Sequence, residues 1–338
     1  MPRLTLTAPG LAQTPDWHLS VDGMSPRGPN LSHWPGNRTP PKWKADLSTG
    51  ICLNYARAST AEQEEFLAGA THVLNDHYDT DGFLSLLSVL APEVALPREK
   101  NLIAAAATGD FQAFQGEAAF AVDRIVLNLA APHSPIAHEF AGLTQAAKDS
   151  RRYAWLLDRA EELLDRPETW TALYQAELDL VSAQLADRQV GCEIHPELGL
   201  AVVRSTNPLE RLVVNTRAGS CYRVLHFQTT PAGTLYRYHD RTESWFEVHT
   251  FAPPPRLDLS TVRDELVARE AACDRGHSDT PSQWCLDEAT EPVPELYHGL
   301  PSGQEYGQLT RQLTPSSLDP EEVEEVFAQF FARARVQH

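Results

Sequence analysis

The alternation of apolar and polar positions predicts a mixed α/β chain. Residues 71–75 (THVLN) form a compact apolar run of strand length, residues 76–82 (DHYDTDG) are polar, and residues 83–90 (FLSLLSVL) read as a buried helix ended by Pro92. Upstream, residues 17–21 suggest a short strand and the Pro/Gly/Asn-rich residues 22–45 a long loop, of the kind that is more often functional than a linker. Helices are predicted over residues 46–57, with Ser48 or Thr49 as cap, over residues 60–70, and over the alanine-rich residues 98–107. Residues 124–130 (RIVLNLA) read as a second buried strand, so that strand, helix, helix and strand make an α/β layer. Residues 137–188 carry a helical stripe of Leu156, Leu163, Leu164, Leu173, Leu178 and Val181. From Cys192 the period shortens, and residues 200–203, 212–215, 222–227, 235–238 and 245–250 suggest a mostly antiparallel sheet, followed by helices over 260–273 and 319–335. The predicted class is α/β, α+β overall. An α/β domain occupies residues 1–136, a helical block 137–190, and an antiparallel β subdomain with C-terminal helices 191–338.

Composition narrows the functions available. The 338 residues exceed what one core usually serves, and the 42% hydrophobic content suits a globular protein. No run of 18 apolar residues occurs and the N-terminus lacks a signal-like apolar segment, so neither a membrane partner nor export is expected. The formal charge of −18 argues against a broad nucleic-acid surface. It is uneven: residues 257–338 hold 16 acidic residues and 6 arginines, a net of −10, against −8 for everything before them. The five cysteines, Cys52, Cys192, Cys221, Cys273 and Cys285, include no CxxC pair, which points to reduced thiols in the cytoplasm. No dinucleotide fingerprint, P-loop or nucleophile elbow is present, and the oligomeric state is left open.

Candidate chemistry concentrates in residues 75–82. His77, Asp79 and Asp81 alternate, which on an extended chain places them on one side. Two carboxylates and an imidazole converging at a strand's carboxyl end need a cation. Mn²⁺ is favoured, with Mg²⁺ or Zn²⁺ as alternatives. The competing reading is turn chemistry, with Asp81 capping the helix at Phe83. The loop LSHWPGNRTP offers His33 and Arg38 as catalytic groups, Arg38 on a phosphate and His33 on a metal or leaving group. Asp46, Ser48 and Thr49 read first as cap residues. His226, His239 and His249 read as ordinary sheet residues, and Arg217, Arg223, Arg237 and Arg241 as solvated cross-strand partners of Glu243 and Glu247. His138-Glu139 is not a zincin motif, since position 142 is Gly.

The string HYDTDGFLSLLSVL resembles the first motif of the DHH phosphoesterase superfamily. That resemblance implies that His77, Asp79 and Asp81 bind Mn²⁺, with Asp110 of TGDF in the place of an acidic residue at a later strand end. The superfamily's Asp-His-His motif is absent, and the nearest equivalent, RIVLNLAAPHSPIAHE, offers His133 and His138. The whole chain also resembles an uncharacterised bacterial family of unknown function at LSHWPGNRTP, ADLSTGICL, HYDTDGF and GDF. The expected activity is a metal-dependent phosphoesterase-like hydrolase on a small, anionic, phosphorylated or nucleotide-type substrate, with Asp81 counted both as ligand and catalytic group. The alternative is a non-catalytic small-molecule or anion-binding protein on a degenerate phosphoesterase fold.

Overall fold

The computed structural model describes residues 2–7, 15–273, 283–287, 292–300 and 311–336. Most of the Pro/Gly-rich stretch expected after Cys273 falls outside these residues. The chain divides into two compact units, one of residues 1–182 with 246–252, the other of residues 183–245 with 253–338. The division differs from the expected three segments, because the helical block up to residue 182 packs as part of the first unit. Among the described residues no helix is long and apolar enough to cross a membrane.

In the first unit the strands are β1 (Thr5–Leu6), β2 (Leu19–Val21), β3 (Asn30–Leu31) and β4 (His72–Leu74), and the helices are α1 (Ser48–Ala56), α2 (Thr60–Leu67), α3 (Thr80–Leu90), α4 (Pro92–Ala95), α5 (Glu99–Asp110), α6 (Glu117–Asn128), α7 (Gln145–Asp158), α8 (Ala160–Asp165) and α9 (Gln175–Ala186). The strands form a parallel sheet in the order β1-β4-β2-β3. Residues 124–130, expected as a strand, lie mostly in α6. Their apolar side chains continue a helical stripe through Ala119, Phe120 and Val122, and Ile125 and Val126 are buried on it. In α3 every residue from Thr80 to Val89 is buried, including Ser85 and Ser88, so the helix is an interior element rather than an amphipathic cover. The parallel sheet places the carboxyl ends of β2, β3 and β4 side by side, where open α/β sheets carry ligand sites.

The second unit contains β5 (Gly191–His195), β6 (Leu200–Ser205), α10 (Arg211–Arg217), β7 (Arg223–Thr230), β8 (Gly233–Asp240), α11 (Ser260–Cys273), β9 (Gln283–Leu286), β10 (Glu295–Gly299) and α12 (Pro320–Val336). Its sheet has the order β5-β6-β7-β8-β10-β9. It is antiparallel except that β6 and β7 run parallel, because the segment between them is a crossover through α10. Residues 212–215 therefore belong to a helix and not to the expected strand. Residues 245–250 are not a strand either, and most of them pack with the first unit. One sheet face, with Leu200, Val202, Leu225, Phe227, Tyr236, Tyr238 and Leu296, packs against Val262 and Leu266 of α11 and Val323, Phe327 and Phe331 of α12.

Candidate metal centre

Three strand ends deliver the site. After Val21 the chain turns sharply at Asp22, whose φ of +46° is a left-handed conformation that an aspartate adopts more readily than most residues. Its amide donates to the Leu31 carbonyl at 3.0 Å, and its carbonyl accepts from Asn75 Nδ2 at 3.2 Å. A Cβ on the next residue, Gly23, would stand 2.3 Å from Asp76 Oδ1 and push aside the carboxylate that meets His77 Nδ1. After Leu31, His33 is wholly buried. Its amide donates to Ser48 Oγ, and its ring stacks on Phe246 at 3.8 Å between centroids. After Leu74, Asn75 turns the chain, and Asp79 caps α3 by accepting from the Gly82 amide at 2.8 Å. The cap is thus Asp79, whereas the turn reading assigned it to Asp81.

Asp81, inside α3 and fully buried, reaches the first turn of α1, where the amides of Ser48 and Thr49 donate to its two oxygens at 2.8 and 2.7 Å. A carboxylate at a helix N-terminus meets both unsatisfied N–H groups and the positive end of the dipole. Ser48 and Thr49 are therefore the first helical residues, and the capping group comes from another helix.

The two histidines are oriented alike. His33 Nδ1 lies 2.8 Å from the Asp46 carbonyl and must donate to it, so Nε2 is the nitrogen turned inward. That Nε2 lies 3.2 Å from Asp110, 3.6 Å from Asp22 and 3.7 Å from Asp81, and it makes no hydrogen bond. His77 Nδ1 meets the Asp76 carboxylate at 2.8 Å, and its Nε2 points to Asp79 at 2.9 Å and to Asp22 at 3.4 Å. An imidazole fixed through one nitrogen by a carbonyl or carboxylate, with the other aimed at carboxylate oxygens, is the arrangement of a metal ligand.

Among the described residues two groups here could hold a cation: Asp22, His33, Asp81 and Asp110 form one, and Asp22, His77 and Asp79 the other, with the candidate ligand atoms of each within 4.8 Å of one another. Asp22 is common to both. Its Oδ1 faces His33 and its Oδ2 faces His77.

The electrostatics match this geometry. Burial pushes the Asp22 carboxyl up to about 7, with help from Asp79 and Asp81. Burial raises Asp81 and Asp110 as well, and Asp110 is pushed further by Asp81, Asp79 and Asp22. Burial opposes the charge on His77, yet Asp79, Asp22 and Asp76 hold its imidazolium well above the ordinary range. Burial works to raise Asp79 too, and His77 overrides it and keeps that carboxyl low. Four carboxylates in one buried space take up protons or cations, since like charges at this spacing cannot all stay ionised alone.

The structure brings together His33, His77, Asp79, Asp81 and Asp110, all of the expected metal and catalytic residues except one. Arg38 is exposed, and its Nη2 donates to the carbonyls of Ser25 (2.7 Å) and Gly28 (3.0 Å), so it ties a loop and does not face the carboxylates. His133 and His138 are exposed residues after α6 and join neither group. Asp110 ends a helix rather than a strand. Asp22 is not among the residues expected from sequence, although it directly follows the strand expected over residues 17–21 and precedes a glycine. A third group, Glu193, His195 and Glu324 in the second unit, already has a cation, because Arg204 pairs with both glutamates. Glu247, expected to pair with sheet arginines, instead holds Lys44 and the amides of Gly36 and Asn37.

Over residues 7–338 the chain matches the model of a family of unknown function (DUF6687). No curated protein and no solved structure matches it.

Proposed function

The chain belongs to the DUF6687 family, which brings no activity with it, and from that premise we propose that its first unit holds two divalent cations bridged by Asp22 and hydrolyses a small phosphorylated or nucleotide-type substrate. The observation that carries this reading is the placement of the two Asp22 oxygens, each toward the Nε2 of a different histidine, the buried His33 and the half-buried His77, at 3.6 and 3.4 Å. Imidazole nitrogens with carboxylate oxygens suit Mn²⁺ first, and Mg²⁺ or Zn²⁺ next. The resemblance of HYDTDGFLSLLSVL to the first DHH phosphoesterase motif supports the same assignment.

His33, Asp81 and Asp110 would hold one cation and His77 and Asp79 the other, with Asp22 on both. Paired divalent cations supply Lewis acidity toward phosphoryl oxygens and acidify water at neutral pH. The protein residues keep the ligands rigid. Ser48 and Thr49 fix Asp81, the Asp46 carbonyl fixes His33, and Asp76 fixes His77. Tyr153 donates to the His77 carbonyl at 2.7 Å and steadies the turn between β4 and α3. Trp34 lies over the His77 ring at 5.2 Å between centroids and shields one side of it. Arg38, bonded to two backbone carbonyls, has a loop-setting role in this scheme and not the charge-stabilising one expected from sequence.

The test is phosphate release from generic phosphomonoesters and phosphodiesters by chelator-treated protein, with and without added Mn²⁺. Mn²⁺-dependent turnover, lost in Asp79→Asn and Asp81→Asn, is the expected result. Metal binding without turnover on any ester would replace hydrolysis by the binding-protein alternative, and absence of metal binding would remove the metal-dependent hydrolase.

A further inference from the structure

The second unit has a sheet face whose chemistry is unlike its other side. Across β7, β8 and β10, His226 pairs with Arg237 and Arg237 with Tyr297, while His239 pairs with Glu295 in the next row. Side chains alternate along a strand, so these residues share the face opposite Leu225, Tyr236, Tyr238 and Leu296. The centre of a sheet gains most from apolar side chains, and burying arginine, histidine and glutamate there is costly unless each is paired.

The pairing is incomplete. Glu295, with no exposed surface, is shared by Arg211 from α10 and Arg237, whose Nε lies 3.0 Å from it. Arg311 pairs with Asp287 at 2.6 Å and lies over the Tyr297 ring. Among the described residues, these three guanidiniums thus meet two carboxylates. The imidazoles add no compensation: burial and Arg237 push His226 down to about 4, and burial with Arg211, Arg237 and Arg241 holds His239 well below the ordinary range. Burial together with Arg237 and Arg311 brings even the Arg211 guanidinium down to about 9. Nη1 of Arg211 and Nε of Arg311 are buried and make no hydrogen bond. Both oxygens of Glu295 and Nε of Arg237 likewise make no hydrogen bond, so among the described residues the face keeps an excess of guanidinium charge and polar atoms that its own pairing leaves unsatisfied.

We propose that this face is a phosphate-binding site formed by Arg211, Arg237 and Arg311, with Glu295 and Asp287 holding the guanidiniums in place. Guanidinium forks match the tetrahedral oxygens of a phosphate bidentately, and three of them on one side of the sheet favour such a group over a planar monoanionic carboxylate. The proposal is independent of metal in the first unit.

The experiment uses the full chain in excess chelator, so that phosphate has no cation to bind. Calorimetric titration with inorganic phosphate, glycerol phosphate and acetate, at matched ionic strength, separates a free phosphate site from a phosphomonoester site and from a carboxylate site. Expected are phosphate or phosphomonoester binding with acetate much weaker, about tenfold weaker binding in Arg311→Gln, and about tenfold tighter binding in Glu295→Gln, which frees two forks. Circular dichroism confirms that each variant folds, and Arg311→Gln alone decides the matter if Glu295→Gln does not. No phosphate response in the wild type, acetate binding as tightly as phosphate, or wild-type affinity in folded Arg311→Gln would overturn the proposal.

Discussion

At the scale of single residues, Asp22 is the hinge of the metal reading. Its raised carboxyl pKa gives a signed expectation. A carboxyl that holds its proton to about pH 7 in the folded chain, against 3.8 as its ordinary value, stabilises the fold at low pH and loses that contribution as pH climbs from about 4 through 7. Metal-free protein should therefore melt progressively lower across that window. Saturating Mn²⁺ should flatten the slope, because the cation takes the place of the proton. Thermal melts from pH 4.5 to 7.5, with and without Mn²⁺, check this, and parallel curves would count against a cation at Asp22. The same residue shows why the site was only half legible. His77, Asp79 and Asp81 stand within five positions, and their alternation can be read directly. Asp22 and His33 meet them only because β2 lies between β4 and β3 in the sheet, an order that no local pattern reveals.

Elements position those residues through ties that run between helices. Thr80 at the start of α3 donates to Asp123 of α6 at 2.6 Å, and both are buried. Thr80→Val should cost about 1–3 kcal/mol by leaving the Asp123 oxygen with one partner fewer, measurable by urea unfolding, and a neutral result would show that the tie carries little. Gly82 is the closer probe of the site. A Cβ there would stand 2.2 Å from Asn75 Nδ2 and 2.8 Å from the Tyr153 hydroxyl, and Asn75 supports Asp22. Gly82→Ala should destabilise by about 1–3 kcal/mol through overpacking and weaken Mn²⁺ binding at least tenfold, whereas Thr80→Val should spare most of that affinity. At this scale the sequence was clear for α1, α3 and α11, where apolar spacing and helix stops agree. It misled at residues 124–130 and 212–215, short apolar runs that fit a buried strand as well as one face of a helix. Only their packing decides, with Ile125 and Val126 buried in α6 and Val213 and Val214 in α10.

For the whole molecule, the formal charge of −18 acts as general self-repulsion. Raising monovalent salt from about 0.01 to 0.2 M shortens the Debye length from about 30 Å to below 10 Å and should raise the melting temperature of metal-free protein. An unchanged or lower melting temperature would show that paired surface charges, which salt weakens, dominate instead. Yet the global charge says little about local chemistry. The first unit gathers four buried or half-buried carboxylates around two imidazoles, and the second, among its described residues, gathers three guanidiniums around two carboxylates. Neither departure is visible in composition, because each depends on which residues a sheet places side by side.

The most direct measurement is the metal content of chelator-stripped protein after dialysis against Mn²⁺, read by elemental analysis for wild type and Asp22→Asn at equal concentration. Two bound cations per chain in the wild type and at most one in a folded Asp22→Asn are expected. A wild type that retains none, or a variant that retains two, would contradict a centre bridged by Asp22.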